Sequence, residues 1–271
     1  MYRVFRTGFS LKLSVFLFVF VIVLTLNIAA QKADAVEYYN LGCACETADF
    51  ECRIAYFTKA VELAPGLTEA FNNRGLAFFG KGDLDGAMND FNRSIELSPN
   101  FSKGFYNRAV LFARKNELDK ASSDFGRAIE LSPSLTNAYI GRGNVYLKAK
   151  NYDAALRDFD KAAQIEPLYA EIYYNRGLVY FFKADYNRAA ADFSNTIKLK
   201  PGFLPAYLNR GICYDKKGSS NEAIADFTKF IELAPDDYRG YSNRANLYSR
   251  LGENEKAAAD TRKVSELKRN G

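Results

Sequence analysis

Six of the chain's seven prolines, Pro65, Pro99, Pro133, Pro167, Pro201 and Pro235, each lie 34 residues from the next. A chain with a fixed period builds one unit repeatedly, and that unit has to stack on its own copy. Other columns keep the same register. Gly75, Ala109, Gly143, Gly177, Gly211 and Ala245 form a small-residue column, and Ala87, Ala121, Ala155, Ala189, Ala223 and Ala257 form another. Phe71, Phe105, Tyr139, Tyr173, Tyr207 and Tyr241 align, as do Phe91, Phe125, Phe159, Phe193 and Phe227. In the first half of a unit the aromatic and small residues recur at helical spacing, as in Phe71, Gly75 and Phe78. Turn residues follow, such as Gly82-Asp83 and Gly218-Ser219, and then a second helix with Ala and Phe four apart. Proline ends that helix, having no amide to donate and a ring that clashes with the preceding turn. Each unit therefore reads as a two-helix hairpin, and the chain as all-α. Small residues let the paired backbones approach while Phe and Tyr fill the space around the contact. One hairpin cannot bury its apolar surface alone, so neighbours stack into a solenoid. With 48% apolar and 25% charged residues, the 271-residue chain has the material for one long ordered domain.

A 34-residue unit with an early aromatic, then Gly, Tyr, Ala, Phe and a terminal Pro, resembles the tetratricopeptide repeat (TPR). The resemblance covers Thr68 to Leu267 as six units. A divergent unit stands in front of them, from about Ala35 to Pro65, one residue short in its turn. It implies a right-handed superhelix of about seven repeats, laid out as a targeting segment over 1–35, a divergent first repeat and link over 36–67, and six regular repeats over 68–271. In the last unit Thr261 replaces the Phe column and Arg269 the Pro column, as suits a solvent-facing cap.

Ahead of the repeats, Arg3, Arg6 and Lys12 precede an uncharged run over 13–30 that is rich in Val, Phe, Leu and Ile. Its length lies between a signal-peptide core and a bilayer span, so two readings stand. Ala33-Asp34-Ala35 offers a small-x-small cleavage site with Val36 as the new first residue; uncut, residues 13–30 would contact the membrane as an anchor. Either way the cations keep the N-terminus in the cytoplasm, and the repeats are expected outside it, periplasmic or secreted.

Three of the five net positive charges precede Val36, so the repeat body is nearly balanced. Nucleic acid, which needs a concentrated cationic surface, is a poor partner for it. The chain has no histidine, and neither a phosphate-binding Gly loop, a G-x-S-x-G elbow nor an H-E-x-x-H helix is present. The expectation is a non-enzymatic protein with no cofactor and no metal.

Two columns are not demanded by helix packing. Asn73, Asn107, Asn175, Asn209 and Asn243 form an amide row interrupted by Gly141. By resemblance to other TPR proteins this row faces the concave groove, with Tyr106 and Tyr174 in neighbouring slots, where amides pair with the backbone of an extended peptide. The row is similar to the asparagine ladder of TPR-containing glycosyltransferases. The competing reading has these amides bonding neighbouring repeats. A carboxylate clamp of the chaperone-binding type is missing, since its first Lys slot holds Asn72, Tyr106, Ile140, Tyr174, Leu208 and Ser242.

The second column sets Arg74, Arg108, Arg142, Arg176, Arg210 and Arg244 against Asp90, Asp124, Asp158, Asp192, Asp226 and Asp260. These read as structural ion pairs, each Arg bridging its own Asp or the one next door. Cys43, Cys45 and Cys52 cluster in the divergent unit; outside the cytoplasm Cys52 would bridge to Cys43 or Cys45, and Cys213 reads as core. The expected function is a scaffold holding an extended segment of a partner protein. The alternative is a spacer or homo-oligomer with an empty groove.

Overall fold

In the computed structural model, which describes residues 5–270 and the side chains of 17, 18 and 20–269, the chain forms fourteen helices and no strand among the described residues. They fall into two compact units, residues 1–131 and 132–271, where the sequence suggests one long domain. The first unit holds α1 (Phe5–Ala44), α2 (Phe50–Leu63), α3 (Thr68–Lys81), α4 (Leu84–Leu97), α5 (Ser102–Arg114) and α6 (Leu118–Leu131). The second holds α7 (Thr136–Lys148), α8 (Tyr152–Ile165), α9 (Ala170–Phe182), α10 (Tyr186–Leu199), α11 (Leu204–Lys216), α12 (Ser220–Leu233), α13 (Tyr238–Arg250) and α14 (Asn254–Asn270). Within each unit a helix packs on its neighbours in the chain. First helices of successive hairpins also meet, as α3 meets α5, α7 meets α9 and α11 meets α13.

Local chemistry sets the hairpin boundaries. Asp49, Asp83, Asn151 and Asp185 cap second helices, their side chains accepting from the backbone N–H of Cys52, Gly86, Ala154 and Arg188. α2, α4, α6, α8, α10 and α12 each stop two residues before a proline of the 34-residue series.

The Phe column is the core of both units: Phe57, Phe91 and Phe125 in the first, and Phe159, Phe193 and Phe227 in the second, all at most 2% exposed. Each such burial stabilises the fold by about 2–3 kcal/mol. The small column exists to admit these rings. A Cβ on Gly75 would stand 2.8 Å from the Phe91 ring, and one on Gly211 2.6 Å from the Phe227 ring.

The expected boundary after residue 35 falls inside a helix. α1 is a single helix of 40 residues that runs without a break through position 35, and Ala35 is fully buried. Gln31, Lys32, Ala35 and Val36 line a cleft of about 480 Å³ against Leu63, Pro65 and Leu67 of the α2–α3 turn. Residues before Val36 thus contribute to the first hairpin. The described apolar side chains from Leu17 to Ile28 are exposed. Arg3, Arg6, Lys12 and the start of the apolar run lie outside the described side chains. Among the described residues no helix is long and apolar enough to cross a membrane. At the other end α14 buries Asp260, while Ala258, Ala259 and Thr261 face solvent.

Candidate functional site

The first helices of the hairpins carry both the Arg and the Asn columns, side by side in sequence. Every Arg grips the Asp of its own hairpin, sixteen residues on, through a two-bond fork. Arg74 Nε and Nη2 donate to Asp90 at 2.8 and 2.7 Å, and Arg176 to Asp192 at 2.8 and 2.7 Å. The same fork joins Arg108 to Asp124, Arg142 to Asp158, Arg210 to Asp226 and Arg244 to Asp260. The six aspartates are buried. Burial pushes the Asp90 and Asp192 carboxyls up, and the facing guanidinium pulls them back. Aromatic rings three residues before and four after the Arg complete the setting, as Phe71 and Phe78 do around Arg74 and Tyr207 and Tyr214 around Arg210.

The third guanidinium nitrogen makes a link that the sequence reading missed. Nη1 reaches the second helix of the preceding hairpin: Arg74 to Thr58, Arg108 to Asn92, Arg176 to Asp160, Arg210 to Ser194 and Arg244 to Thr228, at 2.7–3.3 Å. Its sequence signal is a small polar column one residue after the Phe column. These groups are satisfied by one another, within a hairpin through the forks and between hairpins through Nη1.

The amide row divides in two. In the first unit it closes on itself: Asn107 Nδ2 donates to Asn72 Oδ1 at 2.7 Å, Asn72 Nδ2 to Asn73 Oδ1 at 3.2 Å, and Asn73 Nδ2 to Tyr39 Oη at 3.2 Å. Asn72 is buried and is a second feature missed from sequence; an amide in a column that otherwise holds Tyr, Ile, Leu and Ser was its signal. Tyr106 lies against the Phe125 ring.

In the second unit the row is open. Asn209 Nδ2 donates to Tyr174 Oη at 3.2 Å, the same reach of 35 residues back that joins Asn107 to Asn72. The residue 35 before Asn175 is Ile140 and that before Asn243 is Leu208, neither of which accepts a hydrogen bond. Asn243 Nδ2 turns instead to the Arg239 carbonyl of its own helix. Asn175, half-buried, has no side-chain hydrogen bond among the described residues. Tyr174 packs edge-on against Phe203 at 4.9 Å, and burial raises its phenol above the ordinary tyrosine range, so its O–H remains a donor. Half-buried Leu178, Phe181 and Ile212 lie on the same pair of helices.

In the first hairpin Cys45 and Cys52 form a disulfide and Cys43 is a free, exposed thiol whose sulfur lies 3.9 Å from Asn73 Nδ2. Cys213 is buried, which pushes its thiol up to about 12. Among the described residues no cluster of His, Cys, Asp or Glu is arranged to hold a metal ion.

Family models described as TPR repeat and tetratricopeptide repeat match residues 68–101, 102–135, 143–183, 170–203, 204–237 and 227–259. The chain is a tetratricopeptide-repeat protein. No curated protein matches it. Among solved structures this TPR chain is similar to YrrB, described as a TPR protein with an unusual peptide-binding site. The two are 26% identical with a TM-score of 0.58, over 65% of this chain and 91% of that one. It is similar to MamA at 26% identity and TM-score 0.58, over 62% of this chain and 92% of that one. A TPR protein from Parabacteroides merdae, 20% identical with a TM-score of 0.63 over 89% and 93% of the two chains, shares the fold. A TPR fold of this kind is a protein-interaction scaffold.

Proposed function

We propose that the chain is a non-enzymatic scaffold that holds an extended segment of a partner protein on the open amide face of its second unit. The observation that carries this reading is the unpartnered Asn175 amide beside Asn209 and Tyr174. The Asn175 amide is half-buried and not sealed from solvent, so the polar groups of a bound segment can replace water on it. Asn175 offers donors and an acceptor, Asn209 its Oδ1 and Tyr174 its O–H, a set that matches the alternating groups of an extended backbone. Leu178, Phe181 and Ile212 supply apolar contact beside it. The peptide-binding site of YrrB gives a relative with the same kind of use.

We infer that the repeats lie outside the cytoplasm, tethered by residues 13–30 or released by cleavage after Ala35, the latter with loss of the α1 residues that line the cleft against Leu63, Pro65 and Leu67. The cations ahead of the apolar run support the orientation. The Cys45–Cys52 disulfide supports an oxidising compartment.

Affinity capture from membrane and soluble extracts, comparing the full chain with an Asn175→Ala, Asn209→Ala variant of equal stability, tests the binding reading. A partner kept by the first, lost by the second and joined by a photo-crosslinker at Leu178 supports it; identical capture by both moves the spacer or homo-oligomer reading ahead. Mass spectrometry of the mature N-terminus, with labelling of Cys43 by a membrane-impermeant thiol reagent on intact cells, tests the location. A Cys43 that labels only after lysis would overturn it.

A further inference from the structure

Phe182, the last residue of α9, is 57% exposed. Its column otherwise holds Gly80, Arg114, Lys148, Lys216 and Arg250, so an aromatic here breaks the repeat pattern. The ring is held in place. It lies parallel to Tyr152, with centroids 6.3 Å apart and planes 3° apart, and meets Phe181 edge-on at 5.8 Å. Phe181 in turn meets Tyr186 edge-on at 5.7 Å. An ordered, exposed aromatic ledge of this kind is surface that a protein hides when a partner is present.

Beside the ledge is a depression of about 410 Å³ lined by Lys183, Ala184, Asp185, Tyr186, Asn187 and Lys217, which spans two successive turns of the second unit. Ala184 sits in its wall at φ 58°, a left-handed backbone that the equivalent Gly82, Gly218 and Gly252 adopt without a Cβ to hinder them.

Charge along this edge is one-sided. Its acids are taken: Asp153 pairs with Lys183 at 2.6 Å, Asp185 with Arg188 at 2.6 Å, and Asp215 with Arg250. Lys148, Lys150 and Lys216 are exposed with no acidic partner among the described residues, and Lys217 lies over the Tyr214 ring.

We propose that this edge is a second docking surface, for an acidic segment of a partner protein that lays an apolar or aromatic side chain on the Tyr152–Phe182 ledge while its carboxylates meet Lys148, Lys150, Lys216 and Lys217. Charge complementarity selects the acidic partner. The depression beside the ledge and the single exposed ring favour a peptide side chain over a bilayer, which rewards several protruding apolar groups. Phe182 lies seven residues, about 10 Å, beyond Asn175 on the same helix. The surface therefore adjoins the amide row but does not depend on its being occupied.

The test uses the full chain and a fluorescent, end-blocked Glu-Glu-Phe-Glu-Glu peptide, with Glu-Glu-Gly-Glu-Glu and Lys-Lys-Phe-Lys-Lys peptides and phosphatidylcholine–phosphatidylserine vesicles as comparisons. The acidic Phe peptide is expected to bind, to weaken with added salt, and to bind about tenfold more weakly to Phe182→Ala and to Lys216→Glu, Lys217→Glu variants. It is expected to bind unchanged to Asn175→Ala, Asn209→Ala, which separates this surface from the amide row. Equal binding of the Gly or Lys peptide, indifference to both ledge and lysine variants, or co-sedimentation with vesicles that depends on Phe182 in place of peptide binding would each overturn the proposal. Phe182→Leu, which keeps apolar area at the site, should retain most of the affinity, so a fold defect in the Ala variant cannot pass for support.

Discussion

The two units build the same hairpin from the same columns, yet they treat their amides differently. In the first, Asn107, Asn72 and Asn73 run hand to hand into Tyr39. In the second, Ile140 and Leu208 stand where an acceptor would have to be, and Asn175 has no side-chain hydrogen bond among the described residues. One side chain per repeat, 35 residues back, decides whether an asparagine serves the array or is available to something outside it. A conserved-looking column is thus not one function repeated: context divides it into glue and candidate contact.

The comparison can be broken or sharpened by substitution. The largest effect is expected where the fork itself is cut. Asp90→Ala strands a half-buried guanidinium with Thr58 as its remaining hydrogen-bond partner and should cost about 3–5 kcal/mol in denaturant unfolding, whereas Asp192→Ala leaves Arg176 with Asp160 and should cost clearly less. Next, Asn72→Leu removes the centre of the closed network and should cost about 1–3 kcal/mol. Asn175→Leu in the open row should be nearly neutral by the same measurement. Ala184→Gly relieves the left-handed turn in the second unit and should gain about 0.5–1 kcal/mol, read as a rise in Tm. Ile140→Asn should give Asn175 the partner it lacks, leaving stability almost unchanged and weakening a captured segment severalfold. Smallest in energy but simplest to read is thiol labelling near pH 8 without reductant. Cys43 in the first unit should react and Cys213 in the second should not, because burial raises its thiol to about 12; reductant should add Cys45 and Cys52.

Much of the hairpin was legible because proline, glycine and aromatic spacing report backbone limits and volume, and both repeat in register. The 34-residue period predicts small residues where paired helices approach and aromatic rings around that contact, and the Phe91 ring does lie against Gly75. What a period cannot report is which of two equally spaced partners a long side chain chooses. It left each Arg with its own Asp or the neighbour's, and the geometry chooses the first: the fork closes on the Arg's own Asp, while the third nitrogen, where it reaches the hairpin before, meets a residue of a different column. Nor can it show that α1 continues unbroken through Ala35, because the cleavage pattern there and a buried helical alanine are written with the same small residue. The division of the amide row was encoded, but in a different column from the asparagines, where Asn72 and Tyr174 alternate with Ile140 and Leu208.

The Nη1 link sets how the array comes apart. A linear stack of weak units frays from its ends when each junction is weaker than the unit it joins, and melts as one block when the junctions are the stronger part. Arg74, Arg108, Arg176, Arg210 and Arg244 belong to both terms, since opening one of their hairpins removes its internal fork and its hold on the preceding one together. In the second unit every internal junction carries such a link, through Asp160, Ser194 and Thr228. Amide hydrogens from α8 to α13 should therefore exchange through a shared opening rather than in a gradient from the C-terminal end. A segment gripped at Asn175 and Asn209 would then pull against the whole block instead of peeling off a single repeat.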